Sequence, residues 1–221
     1  MKRTAAILIG TALLFAGACG SGGDSAIENL PPDEIGHLST DRLLDIDQFT
    51  VSGEMVDDGE EMEVALSYDG EDGHGLLTMG DVELEVLRIG GSSYLRGNEA
   101  FWDRELDHVS QAFMETVGDR WIDVTGEPDM EDLTDLADRD AFVDKALELK
   151  GEVTAGDTRK IAGVECLELS GGGRLLWVAL DDARPIMLGT SGEEGDDLTF
   201  GYDDADIPEA PTGDEVARWA S

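Results

Sequence analysis

The chain has 221 residues, with 51 acidic and 15 basic side chains and a formal net charge of −36. So acidic a surface excludes nucleic acid and anionic lipid headgroups as broad electrostatic partners, because both would repel it. Hydrophobic residues make up 41% of the chain, which argues against a disordered protein and suffices for one domain with a core. We interpret the acidic excess as a solvated, soluble surface. Adaptation to a saline habitat and cation binding are the alternative reasons for it.

The N-terminus has the pattern of an export signal. Lys2 and Arg3 precede an apolar run over residues 5–15, which is shorter than the ~20 residues that a membrane-spanning helix needs. The next four residues, Ala16-Gly17-Ala18-Cys19, resemble the lipobox of bacterial lipoproteins, although Leu is usual where Ala16 stands. In that family the cysteine sulfur receives a diacylglyceryl group, and cleavage makes the cysteine the mature N-terminus.

The resemblance implies a lipid anchor at the start of the mature chain. We predict a signal peptide over residues 1–18, then lipidated Cys19 and a flexible tether over residues 19–32. Two acyl chains give stable anchoring, so the protein is expected on the outer face of the cell membrane. Ordinary secretion without a lipid is the alternative. The second cysteine, Cys166, lies in an alternating segment and is predicted to be a buried apolar side chain.

The single predicted domain spans residues 33–208 and begins with a short amphipathic helix over residues 33–44. The hydrophobic period then changes to two, which predicts a meander of five antiparallel strands on short turns. One face of these strands is apolar and the other is acidic. The predicted strands are residues 49–55, 62–68, 74–79, 82–86 and 93–96.

A mainly helical insert is predicted over residues 98–148, because the hydrophobic period there becomes helical. A second run of strands follows it, with one turn expected at Asp157-Thr158. Residues 209–221 are expected to form a C-terminal tail, frayed or with one helical turn over residues 215–219. The strands predicted for this second run are residues 150–154, 160–169, 174–180, 186–190 and 198–202.

This order of elements predicts an α+β domain. The two meanders, about ten strands in all, would form one large curved antiparallel sheet, an open half-barrel. Its apolar face must be covered, and the helices of the central insert can cover it. A cavity could then lie between the sheet and the helices.

Several short segments resemble those of actinobacterial envelope lipoproteins, which are similar in fold to the LolA/LppX/LprG group of lipid and lipoprotein carriers. The resemblance implies an unclosed β half-barrel that holds acyl chains, and it supplies no catalytic residue. The segments are Tyr94-Leu95-Arg96-Gly97, Ala100-Phe101-Trp102, Gly118-Asp119-Arg120-Trp121-Ile122-Asp123-Val124, Leu176-Trp177-Val178 and Arg184-Pro185-Ile186.

Two functions are therefore expected. The first is a membrane-anchored lipoprotein that binds or carries an apolar acyl ligand between the sheet and the helices. The alternative is a structural or protein-interaction lipoprotein with a filled core and an acidic surface. The expected partners of the protein are the membrane, through Cys19, and a lipid ligand. We take a monomer as the default oligomeric state. Candidate ligand-binding residues on the predicted apolar surfaces are Phe49, Val51, Val64, Leu66, Leu84, Val86, Trp102, Phe113, Trp121 and Trp177.

No motif in the sequence points to catalysis or to a cofactor. His37, His74 and His108 lie in different predicted elements, and none has a second His or a Cys at helical spacing. The acidic turns lack the spacing of a calcium loop, and neither a nucleophile elbow nor a P-loop occurs. The sequence thus predicts no metal site, no cofactor and no enzymatic activity.

Overall fold

The computed structural model of the chain describes residues 27, 29–57, 59–105, 111–191 and 197–217. The predicted signal peptide, Cys19 and His108 lie outside the described residues. Within those ranges, none of the helices has the length and apolar character needed to cross a bilayer.

The fold is α+β, with a large, open and curved antiparallel sheet. Within the described ranges the sheet has twelve strands in the order β12-β6-β5-β4-β3-β2-β1-β11-β10-β9-β8-β7, and only the short β12 runs parallel to its neighbour. The strands are β1 Gln48–Asp57, β2 Glu60–Asp69, β3 Asp72–Met79, β4 Val82–Ile89, β5 Ser92–Gly97, β6 Trp121–Asp123, β7 Thr154–Ile161, β8 Val164–Gly171, β9 Arg174–Ala179, β10 Pro185–Thr190, β11 Asp197–Gly201 and β12 Val216–Ala217.

The two meanders meet where β1 pairs with β11. Val51 lies opposite Phe200 across this seam, and both side chains are buried on the same face. That face, which we call the inner face, also carries Val64 and Leu66 of β2. The prediction that both runs of strands belong to one sheet is confirmed.

The helices pack on the inner face. The first begins directly after Pro31, with proline at its first position, and acidic side chains in its first turn favour that end of the helix dipole. The helices are α1 Pro32–Leu44, α2 Glu99–Glu105, α3 Gln111–Val117, α4 Glu131–Thr134 and α5 Arg139–Leu147, with a 3₁₀ turn at Pro128–Met130 before α4.

Apolar residues between the helices and the sheet form two buried clusters. The first lies under α1 and α5, against β1, β2 and β8–β11, and includes Leu43, Phe49 and Val143. The second lies under α2–α4, against β3–β6 and β12, and includes Trp102. Met62 is half-buried and packs against both clusters, so it marks the boundary between them.

The prediction of a turn at Asp157-Thr158 is wrong. Strand β7 continues through it, with a bulge between Ala155 and Thr158. The chain reverses instead at Ala162 and Gly163, whose φ angles are +46° and +92°. Two positive φ angles make a type I′ hairpin turn, the kind that matches strand twist.

Both ends of the described chain join the domain. Ile27, inside the segment predicted as tether, is 3% exposed and packs in the first cluster. Val216–Ala217, in the segment predicted as tail, is a strand beside β6, and Trp121 donates its backbone N–H to the carbonyl of Glu215. Ala217 is buried in the second cluster, so this pairing closes one edge of the core.

Candidate ligand cavity

A cavity of about 190 Å³ lies between the inner face and helices α4 and α5, where the two clusters meet. Its floor is mainly apolar, and its roof mixes apolar side chains with three charged ones. The floor consists of Met55, Met62, Val64, Leu66, Leu77, Leu188, Gly189 and Leu198 from the sheet, and Arg174 extends from β9. The roof consists of Asp132, Asp135, Leu136, Phe142, Lys145 and Ala146.

Tyr68 connects the floor to the roof. It is fully buried, and its hydroxyl donates a hydrogen bond to the carbonyl of Leu136 at 2.7 Å. Its ring lies between Phe49, with centroids 4.7 Å apart, and Phe142, with centroids 5.5 Å apart. Burial raises the pKa of Tyr68 well above its ordinary value, so the hydroxyl stays a donor. This contact holds the wall of the cavity in place.

The segment between α4 and α5 lies directly on the sheet. A methyl group at Gly73 would be 2.2 Å from the carbonyl oxygen of Ala137, so only glycine permits this approach. The next residue, Asp138, caps α5 by accepting the N–H of Ala141 at 3.0 Å. Its other carboxylate oxygen is 3.3 Å from Nη2 of Arg88 on β4. Backbone approach, cap and ion pair together position the start of α5.

Charged side chains surround the opening of the cavity. Asp132 is fully exposed, and Lys145 is 60% exposed. The Lys145 ammonium lies 2.6 Å from Asp135 and 3.8 Å from Asp132. Its hydrogen bond to Asp135 raises the pKa of Lys145, which is therefore charged at neutral pH. Arg174 Nη1 donates to the carbonyls of Lys145 and Ala146, at 2.6 and 2.8 Å, and so satisfies the end of α5.

Of the ten predicted ligand-binding residues, Val64 and Leu66 line the cavity. Six others lie between the sheet and the helices, but within the packed clusters. Of these six, Phe49 and Val51 are in the first cluster, Leu84, Val86 and Trp102 are in the second, and Phe113 packs against the second.

Trp121 and Trp177 lie on the opposite, outer face of the sheet, which corrects the expectation that they face the helices. In each strand the neighbouring residues, such as Ile122, point inward, and alternation turns the tryptophans outward. Arg96 stacks over Trp121 at 4.5 Å, and Arg159 stacks over Trp177 at 4.0 Å. Both rings thus have a cation over one face.

The sequence interpretation missed the roof of the cavity and its charged opening. Phe142 and Ala146 belong to the apolar pattern of a predicted helix, so a signal for burial existed. Nothing in that pattern separates a side chain that fills the core from one that borders a void. The ion pair of Lys145 with Asp135 joins α5 to the residue that follows α4, ten positions earlier, and only the fold brings the two side chains together.

Two other sequence predictions can be compared with the structure. Cys166 is fully buried, as predicted, and burial raises the pKa of its thiol, so it is not an activated nucleophile. His74 lies on the outer face, 3.7 Å from Glu85, which in turn pairs with Arg96 at 2.5 Å. Among the residues that the structure describes, no group of three or more His, Cys, Asp or Glu side chains could hold a metal ion.

No protein-family model matches the chain, and no curated protein matches it. Among solved structures, the chain is similar to LprF from Mycobacterium bovis, with 12% sequence identity and a TM-score of 0.47, over 82% of this chain and 96% of that one. It is also similar to an uncharacterized conserved protein from Thermus thermophilus, with 11% identity and a TM-score of 0.43, over 85% and 98% of the two chains. MucB matches with 14% identity and a TM-score of 0.36, over 82% and 62%.

Proposed function

We propose that this protein is a cell-envelope lipoprotein, anchored by lipid on Cys19 to the outer face of the membrane, that binds an acyl chain between its sheet and its helices. It resembles bacterial lipoproteins in its N-terminal pattern and carries an acidic domain that anionic surfaces repel. The proposed role is binding or transfer of an apolar group, without catalysis.

The observation that carries the proposal is the cavity under α4 and α5. Its floor is built from aliphatic side chains and methionines, which suit a flexible hydrocarbon. Each methylene moved from water into such a site contributes about 0.8 kcal/mol. The charged opening leaves one end of the site in contact with water, as an amphiphile requires.

Binding can be tested with a pair of matched substitutions. Ala146→Phe places a ring into the cavity, whereas Ala65→Phe makes the same change at an exposed position on the outer face. We expect native mass spectrometry of the full chain carrying Cys19→Ser, purified from a lipid-containing host, to show a co-purifying acyl compound. The compound should be lost in Ala146→Phe and kept in Ala65→Phe, with both variants folded by circular dichroism.

Anchoring is tested by metabolic labelling with a palmitate analogue. The full chain should incorporate the label in a bacterial host, and Cys19→Ser should abolish incorporation. Cys166→Ser is the control, because its sulfur is buried in the sheet and should not accept an acyl group. Label that survives Cys19→Ser would refute the anchor.

The small size of the cavity favours a second candidate, an interaction lipoprotein whose core holds no ligand. A volume of about 190 Å³ is below the roughly 300–1,000 Å³ of ordinary ligand sites. In that case the protein co-purifies with nothing, and Ala146→Phe fills an empty void without loss of any bound compound. A clean mass from a lipid-rich host would support this candidate over the first.

A further inference from the structure

We propose that the cavity accepts one short aliphatic chain bearing a neutral, hydroxyl-rich head, and that it discriminates against diacyl lipids and against fatty-acid anions. The inference rests on the proposed function and specifies its ligand. It follows from two separate features, the volume of the cavity and the charges at its opening.

The volume limits the ligand to one short chain. The cavity of about 190 Å³ lies below the roughly 300–1,000 Å³ of ordinary ligand sites, which suits one short chain and not two. The inner wall cannot easily retreat, because the Phe142 ring stacks on Tyr68 and Tyr68 is bonded to the backbone at Leu136. A second chain beside the first would therefore require the roof to separate from the sheet.

The opening disfavours an anionic head. Both basic groups there already have partners, since Lys145 is bonded to Asp135 and Arg174 is bonded to two backbone carbonyls. Asp132 lies farther from the Lys145 ammonium, at 3.8 Å, and is fully exposed. Its carboxylate is therefore the acceptor that an entering head group meets. A ligand carboxylate would face that charge and would be a third anion, beside Asp135 and Asp132, at the single Lys145 ammonium. The net charge of −36 adds long-range repulsion.

A neutral hydroxylated head fits the same atoms without displacing any of them. Its hydroxyl groups can donate to Asp132, and their oxygens can accept from the remaining N–H bonds of the Lys145 ammonium. Because Asp132 is fully exposed, such a head would stay partly in water, and its polar groups would not need to be buried.

The chain-length prediction is tested with monoacylglycerols of increasing length and the full chain carrying Cys19→Ser. Below their aggregation limits, their affinity should rise about fourfold for each added methylene and level off well before sixteen carbons, when the cavity is full. The neutral diacyl lipid 1,2-dioctanoylglycerol should bind far more weakly than 1-octanoylglycerol. Affinity that keeps rising to sixteen carbons, or tight binding of the diacyl lipid, overturns the size inference while the proposed function stands.

The head-group prediction is tested by comparing 1-octanoylglycerol with octanoate above pH 7. We expect at least about tenfold weaker binding of octanoate, with a smaller difference at high salt. Asp132→Asn should strengthen octanoate binding, and Asp129→Asn, an exposed position outside the cavity, should not. Equal affinities for the two probes overturn the charge inference. If no probe of any length binds, the proposed function itself is refuted.

Discussion

Replacement of Tyr68 by Phe should measure how strongly the sheet holds the roof of the cavity. The substitution keeps the ring and its stacking on Phe49 and Phe142 but removes the hydroxyl that donates to the Leu136 carbonyl. The carbonyl is then left without that donor in a water-poor site, which costs about 1–2 kcal/mol. With a urea dependence of roughly 2 kcal/mol per M, the unfolding midpoint should fall by about 0.5–1 M.

The same variant carries a pH signature. Burial raises the pKa of Tyr68 in the folded protein, whereas in the unfolded chain it ionises near its ordinary value of 10.0. Above pH 10, the unfolded state therefore loses a proton that the native state keeps, and stability falls by up to about 1.4 kcal/mol per pH unit. Tyr68→Phe lacks this loss, so the stability gap between the two proteins should narrow as the pH rises from about 10 to 11.

The assay is urea unfolding followed by tryptophan fluorescence at several pH values. Tyr94→Phe, at a half-buried position on the outer face, serves as the control and should change the midpoint little. A gap that stays constant above pH 10 would show that Tyr68 ionises equally easily in both states. That result, or a midpoint equal to the wild-type value at neutral pH, would refute the proposed connection between floor and roof.

Three further substitutions test other contacts by the same unfolding assay. Gly73→Ala should destabilise the fold by about 3 kcal/mol, because the added methyl group meets the backbone of Ala137 at 2.2 Å, and an unchanged midpoint would contradict that close approach. Arg174→Ala should lower the free energy of unfolding by about 1–3 kcal/mol, because it leaves two carbonyls at the end of α5 without a donor. A decrease in the urea midpoint of less than about 0.5 M would indicate that water replaces the guanidinium as donor. Burial lowers the pKa of His74 from its ordinary value of 6.5, against the opposing effect of Glu85. The unfolded chain therefore takes up a proton more readily than the folded protein, and stability should fall as the pH drops below about 6.5. His74→Gln should flatten that acid dependence, and an identical slope in the variant would count against burial of the imidazole.

The half-buried strands could be predicted because their residues alternate. In β2, Val64, Leu66 and Tyr68 are buried and Ala65 between them is exposed, as the period-two pattern requires. The turn at Gly90-Gly91 could also be predicted, because glycine adopts positive φ angles at the least cost and both residues have them. Alternation and turn chemistry were thus enough for the first meander and for the fold class.

Prediction failed where alternation is missing. Strand β9 is apolar at almost every position because both of its faces are covered, so the sequence does not indicate to which side Trp177 points. The prediction of strand β7 failed for the opposite reason. The strand lies at the edge of the sheet and is exposed along nearly its whole length, so its sequence shows no apolar alternation. The cavity itself depends on small gaps between α5 and the sheet, and residue type does not encode such gaps.

The seam between β1 and β11 has a consequence for the order of assembly. Val51 and Phe200 meet there from opposite ends of the domain, whereas β1–β5 pair through short turns. Local hairpins close early, and contacts between distant segments form later because they must close a long loop. Leu66 and Leu198 border the cavity from the two sides of the seam, so that space cannot exist until the last long strand has docked. A chain synthesised from its N-terminus can therefore build its first meander alone, but it acquires a binding site only when its C-terminal strands arrive.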